Sequence, residues 1–195
     1  MGSQPGKIVV LSGPSGVGKT TVLGRLLETC PLPLVRSISA TTRPPRPGEI
    51  HGVDYYFLSA EEFARLRESG QFLECAQVFG SGDWYGTLER EVLPSLQAGK
   101  WVVLGIDIQG GAAVVQKYPD AVTIFLRPAS WEQLESRLRG RKTEPDAAVE
   151  ARLARARREL AEGQWYRYHV VNDDLERTVQ EICQILLRHR GEPRP

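Results

Sequence analysis

Four short runs of apolar, mostly β-branched residues punctuate the chain at residues 8–11, 101–106, 122–126 and 169–171. Unbroken apolar runs of this length predict strands buried on both faces, as in a parallel sheet. Between them, apolar positions recur at helical spacing: Val22, Leu23, Leu26 and Leu27; then Leu134 and Leu138; then Val179, Ile182, Ile185 and Leu186. Strand alternating with amphipathic helix predicts an α/β fold, a three-layer sandwich around a parallel core sheet.

Two stretches break this rhythm. The first, residues 43–87, opens with Arg43-Pro-Pro-Arg-Pro-Gly, continues through Tyr55-Tyr-Phe and carries a glycine-rich turn near Gly80. Its turn-forming composition predicts a small subdomain inserted into the core. The second, residues 140–147, is polar, contains Pro145 and is flanked by arginines. Proline disfavours continuous helix there, and the segment is expected to form a mobile lid. No internal repeat is present, and the tail from Gly191 is expected to fray.

Composition narrows the class without choosing a function. With 195 residues, 41% hydrophobic and 25% charged, the chain is expected to form one globular domain. A formal net charge of +1 gives no overall electrostatic reason to expect a nucleic acid or membrane partner. Cys30, Cys75 and Cys183 are too scattered for a disulfide framework or a metal site. Neither an export signal nor a membrane-spanning run is recognisable, so a cytoplasmic location is expected; oligomeric state is not readable.

Chemistry enters directly after the first apolar run. Gly13-Pro-Ser-Gly-Val-Gly-Lys-Thr20 matches G-x-x-x-x-G-K-[ST] in the strand-then-helix setting that this phosphate-binding loop requires. Glycines let the backbone curl so that several N–H groups point inward at phosphate oxygens, helped by the positive end of the following helix. Gly13, Pro14, Ser15, Gly16, Val17, Gly18, Lys19, Thr20 and Thr21 are therefore the candidate nucleoside-triphosphate-binding residues, the ATP site if the nucleotide is ATP. Lys19 is suited to neutralise the β- and γ-phosphates, and the Thr20 hydroxyl to ligate Mg²⁺. The loop specifies a nucleoside triphosphate but leaves the acceptor open.

The segment Ser39-Ala-Thr-Thr-Arg-Pro-Pro-Arg-Pro-Gly-Glu49, with Gly52-Val-Asp-Tyr55 and Phe72-Leu-Glu74, resembles the acceptor-binding segment of guanylate kinases. The resemblance extends from about Lys7 to about Arg188. It implies ATP-dependent, Mg²⁺-requiring phosphorylation of GMP, and of dGMP, within one domain. The core would comprise residues 7–38, 88–137 and 153–190, the GMP-binding subdomain 39–87 and the lid 138–152. Glu74 matches the position that accepts hydrogen bonds from guanine N1 and its 2-amino group, while Ser39, Thr87 and Asp107 complete the base contacts. Arg43, Arg46, Tyr55 and Tyr85 match the acceptor-phosphate ligands, and Glu49 lies in the same segment. Lys19, Arg43, Arg137, Arg141 and Arg152 are the implied catalytic residues, Asp107 joins Thr20 at the metal, and Asn172 is expected at the adenine edge. Arg139, Arg157 and Arg158 read instead as an exposed helical face.

Two departures from the family pattern stand out. Gly105-Ile-Asp107 replaces the usual Asp-x-Asp at the end of the third core strand, where alternation would place both positions on one face. The turn from Gly80 to Tyr85 is two residues longer than usual. Two other readings compete: a catalytically silent phosphopeptide-binding module of the same fold, or a P-loop kinase with another phosphorylated acceptor. Intact Lys19 and Thr20 argue against the first, and Glu74 with Ser39 and Thr87 against the second.

Overall fold

The computed structural model describes residues 6–77, 82–140 and 146–191. Along the chain run β1 (Ile8–Ser12), α1 (Lys19–Thr29), β2 (Leu34–Arg36), β3 (Ser39–Thr41), β4 (Tyr56–Phe57), α2 (Ala60–Glu68), β5 (Phe72–Gln77) and β6 (Trp84–Leu88). They are followed by α3 (Glu89–Gln97), β7 (Trp101–Leu104), α4 (Ile108–Lys117), β8 (Val122–Pro128), α5 (Trp131–Arg139), α6 (Asp146–Glu162), β9 (Tyr168–Asn172) and α7 (Leu175–Arg188). Short 3-10 turns occupy Gly163–Trp165 and His189–Gly191.

Five strands pair in the order β2-β7-β1-β8-β9, all parallel. Side-chain alternation divides them between two apolar layers. Val9, Leu11, Trp101, Val103, Ile124 and Leu126 face α1 and α7, while Ile8, Val10, Val102, Leu104 and Phe125 face α3 and α4. The sheet is thus covered on both sides, which is why its central strands read as unbroken apolar runs. Strand β7 stops at Leu104, short of the predicted residue 106, because Gly105 and the cap of α4 follow at once.

A second sheet, in the order β4-β3-β6-β5, lies between residues 39 and 88. Pairing of β6 with β3 and β5 is antiparallel. Helix α2, started by a Ser59–Glu62 capping box, seals one side of it with Phe63, which stacks on Phe72 at 4.5 Å. Lys117, at the end of α4, donates to the Leu73 carbonyl at 2.6 Å and ties this sheet to the core.

Leu134 and Leu138 of α5 pack on Val149, Leu153 and Ala156 of α6, a small cluster distinct from those of the main sheet. Among the described residues no helix is long and apolar enough to cross a membrane.

Candidate active site

Between β1 and α1 the chain turns through residues 13–18, with Gly16 at φ 82° and Gly18 at φ 102°, a region that strains residues bearing a Cβ. The turn delivers the first N–H groups of α1, which have no intrahelical acceptor, to the positive end of the helix dipole. Thr20 and Thr21 are exposed there, whereas Val17 is buried and anchors the loop. The Val17 carbonyl accepts from Asn172 Nδ2 at 2.7 Å and from Arg137 Nη1 at 3.4 Å. Asn172, only 8% exposed, also accepts from the Thr178 hydroxyl at 3.2 Å, so both ends of its amide brace the loop.

Lys19 folds back over the loop, with Nζ donating to the carbonyls of Gly13 at 2.5 Å and Pro14 at 3.2 Å. Burial pushes its pKa below the ordinary lysine value. The charge of Glu159 opposes that shift, Arg155 adds to it, and Asp107 opposes it.

Asp107 does not share a strand face with residue 105, as alternation suggested. Both lie past the end of β7, and Asp107 is the N-cap of α4, its Oδ1 accepting the Gly110 N–H at 3.0 Å. Its Oδ2 faces Arg155 Nη2 at 3.5 Å. Gly105 is exposed, and a Cβ there would meet only Leu23 Cδ2, at 3.5 Å.

On the second sheet, register assembles what the sequence keeps apart. Ser39 on β3 pairs with Thr87 on β6, and Thr87 pairs with Glu74 on β5, giving three neighbours in one row. The Thr87 hydroxyl donates to Glu74 Oε1 at 2.6 Å. Glu74 is 7% exposed, and burial pushes its carboxyl up from 4.5 to about 7 despite the opposing Thr87 hydrogen bond. Helix α4 approaches this carboxylate so closely that a Cβ on Gly110 would lie 2.8 Å from Glu74 Oε2.

Two residues before Thr87, the Tyr85 hydroxyl accepts from Arg43 Nε at 3.2 Å. Arg43 grips Glu49 with both terminal nitrogens at 2.9 Å, and Glu49 also accepts the Arg46 backbone N–H at 2.7 Å. Arg43 holds the Glu49 carboxyl below the usual carboxylate range. The Arg43 guanidinium lies 5.5 Å over the Tyr55 ring, and Tyr55 meets Tyr85 edge-on with centroids 5.9 Å apart. Burial raises the Tyr55 phenol. The Arg46 side chain is exposed.

Arg137 reaches the loop, and Arg152 is half-buried on α6. Arg141 lies outside the described residues. Arg139 pairs with Glu135 and Glu150, and Arg157 lies 4.6 Å over the Trp131 ring, as expected of a helical face. Sequence reasoning missed Arg155 and Glu159. Their i,i+4 spacing beside the apolar stripe Val149, Leu153, Ala156 is the signal that marks them as turned inward.

A phosphate loop at the carboxyl edge of a parallel sheet, with a second small sheet carrying the buried Glu74, is the arrangement of a P-loop kinase of small phosphorylated acceptors. Residues 5–189 match the family model described as guanylate kinase. Guanylate kinase of Rhodopirellula baltica is 52% identical over 189 residues, covering 96% of this chain and 90% of that protein. The Rubrobacter xylanophilus guanylate kinase is 48% identical over 183 residues, with 94% of each chain covered. Among solved structures, guanylate kinase from Anaplasma phagocytophilum superposes with a TM-score of 0.82 at 36% identity, covering 98% of this chain and 90% of that one. The chain belongs to the guanylate kinase family.

Proposed function

We propose that this chain transfers the γ-phosphoryl group of ATP to the phosphate of GMP, and of dGMP, by in-line displacement. The observation that carries the reading is the buried Glu74 carboxylate, held by Thr87 and paired in register with Ser39. Guanine offers two adjacent N–H donors to such a group. Adenine offers neither, and would leave a buried carboxylate unpaired at a cost of roughly 2–5 kcal/mol. Asp107, capping the helix that backs Glu74, completes the base site.

Arg43 is the acceptor-phosphate anchor, fixed in one orientation by Glu49 and Tyr85; Arg46 and Tyr55 complete the phosphate contacts. The acceptor oxygen is already an anion near neutral pH, so no side-chain base is needed and positioning with charge neutralisation suffices. Lys19 and the loop amides hold the donor phosphates, and Arg137, Arg141 and Arg152, the last two from the lid at residues 138–152, meet charge on the transferring group. Asn172 keeps the loop in shape at the nucleotide's flank.

The Thr20 hydroxyl and the Asp107 carboxylate are hard oxygen donors. That sparse set fits Mg²⁺, which is bound through one or two protein oxygens plus water and phosphate. Bound there, Mg²⁺ would neutralise charge on the β- and γ-phosphates.

The test is ADP release measured across GMP, dGMP, AMP, CMP and UMP. Fastest turnover with GMP and dGMP is expected; a preference for AMP would reject the reading. A further expectation follows from the open space at Gly105. Gly105→Asp should fold normally and lower the Mg²⁺ concentration giving half-maximal rate roughly 3- to 10-fold, by adding one charge beside the metal. An unchanged Mg²⁺ titration would place residue 105 outside the metal's reach.

A further inference from the structure

The buried acid of α6 has no part in the reaction as read above. Glu159, 9% exposed, accepts the Ser15 backbone N–H of the phosphate loop at 3.1 Å through Oε2. Its Oε1 accepts Arg155 Nε at 2.9 Å, and Arg155 turns Nη2 toward Asp107 Oδ2 at 3.5 Å. Lys19 feels the charges of all three. Two cations and two anions are therefore interlocked around the loop, and a shallow cleft lined by Asp107, Ile108, Arg155 and Glu159 opens onto them.

A loop amide that hydrogen-bonds a buried carboxylate is committed to one anion. A triphosphate on the same loop brings oxygens that seek such amides, together with negative charge that repels Glu159 at short range in a poorly screened setting. Arg155 moderates the conflict: paired to Glu159, it reduces the net charge that the loop meets. Without Arg155 the same carboxylate would oppose an incoming triphosphate more strongly.

We propose that Glu159 is an internal competitor for the phosphate loop, an anion of the chain itself that must yield the Ser15 amide when ATP binds, with Arg155 setting how strongly it competes. This rests on residues 13–20 being the ATP site. The competition acts at the phosphate loop, where Glu159 bonds Ser15, and it meets the acceptor pocket only at Asp107, which Arg155 approaches at 3.5 Å.

The experiment is a calorimetric titration of Mg·ATP into wild type, Glu159→Gln, Arg155→Met and the double variant, with GMP titrations and thermal melts alongside. Glutamine keeps a carbonyl oxygen for the Ser15 amide and removes only the charge, so the fold is retained. Glu159→Gln is expected to tighten ATP binding roughly 3- to 10-fold, the net range of one ordinary hydrogen bond, with GMP binding unchanged. Arg155→Met should weaken ATP binding by a similar factor, and the double variant should bind at least as tightly as wild type. An ATP affinity for Glu159→Gln that is unchanged or weaker overturns the proposal, since a merely structural carboxylate gives that result. If the double variant stays as weak as Arg155→Met, Glu159 is not the competing charge and the proposal is likewise overturned. Lys19→Met in the same titration separates the two levels: ATP affinity equal to wild type there would remove the ATP site itself, whatever Glu159 does.

Discussion

Lys19→Met is expected to lower kcat for GMP phosphorylation by at least about 10²-fold, the usual consequence of losing one preorganised charge contact to the transition state. The geometry explains why no neighbour can substitute. Lys19 Nζ is held by the Gly13 and Pro14 carbonyls at the mouth of the loop, whereas Arg155 is engaged with Glu159 and Asp107. Thermal melting distinguishes lost chemistry from lost fold. Because burial sets the Lys19 pKa below its unfolded value, the folded chain binds this proton less tightly than the unfolded one, and the charge opposes folding at neutral pH. Met, of similar length and uncharged, removes that opposition, so the variant should melt no lower than wild type at pH 7. A near-normal rate would take Lys19 out of the reaction, and a collapsed melting temperature would make the rate uninformative.

The phosphate loop was legible in the sequence because its parts are consecutive: one strand, one turn and one helix start carry the whole device. The central strands were legible for a related reason, since burial on both faces leaves an unbroken apolar run. Strand β2 was not, because it is three half-buried residues at a sheet edge, directly preceded by Pro31 and Pro33. The base pocket lies at the other extreme. Ser39, Glu74 and Thr87 meet only through the register of three strands, which no local pattern encodes, so they entered through family resemblance alone. Asp107 shows how a correct residue can come with a wrong geometry. Strand alternation was extended three residues too far, past a glycine and into a helix cap, where the carboxylate's direction is set by the Gly110 amide. Glu159 was hidden for the opposite reason. An arginine-rich stretch reads as solvated, and that holds for Arg139 on α5 and Arg157 on α6, yet α6 turns one acid inward onto the loop.

Glu74→Gln tests the base pocket in two independent ways. For catalysis, the substitution replaces an acceptor of two N–H groups by an amide that accepts one and opposes the other. It is expected to lower kcat/KM for GMP by about 30- to 10³-fold, or roughly 2–4 kcal/mol, and to narrow the preference over AMP. The carboxyl is raised to about 7, so only its ionised form, dominant above that pH, offers guanine two lone-pair acceptors. Wild-type KM for GMP should therefore rise as pH falls below about 7. The substrate phosphate titrates nearby, at about 6, but it does so equally for the variant, and the difference between the two profiles belongs to Glu74. For stability the sign is opposite to that of an ordinary surface acid. A folded pKa of about 7 against 4.5 means the folded chain holds the proton more tightly, so stability is fully present below 4.5, falls as pH rises between those values and stays reduced above them. The ceiling on that loss is roughly 3 kcal/mol. Glu74→Gln cannot ionise and escapes it. Its melting temperature should gain on wild type steadily from pH 4.5 to 7 and then hold a constant lead. Parallel melting curves across that window would mean that Glu74 titrates as a solvated acid, and the selectivity argument would fall with its burial.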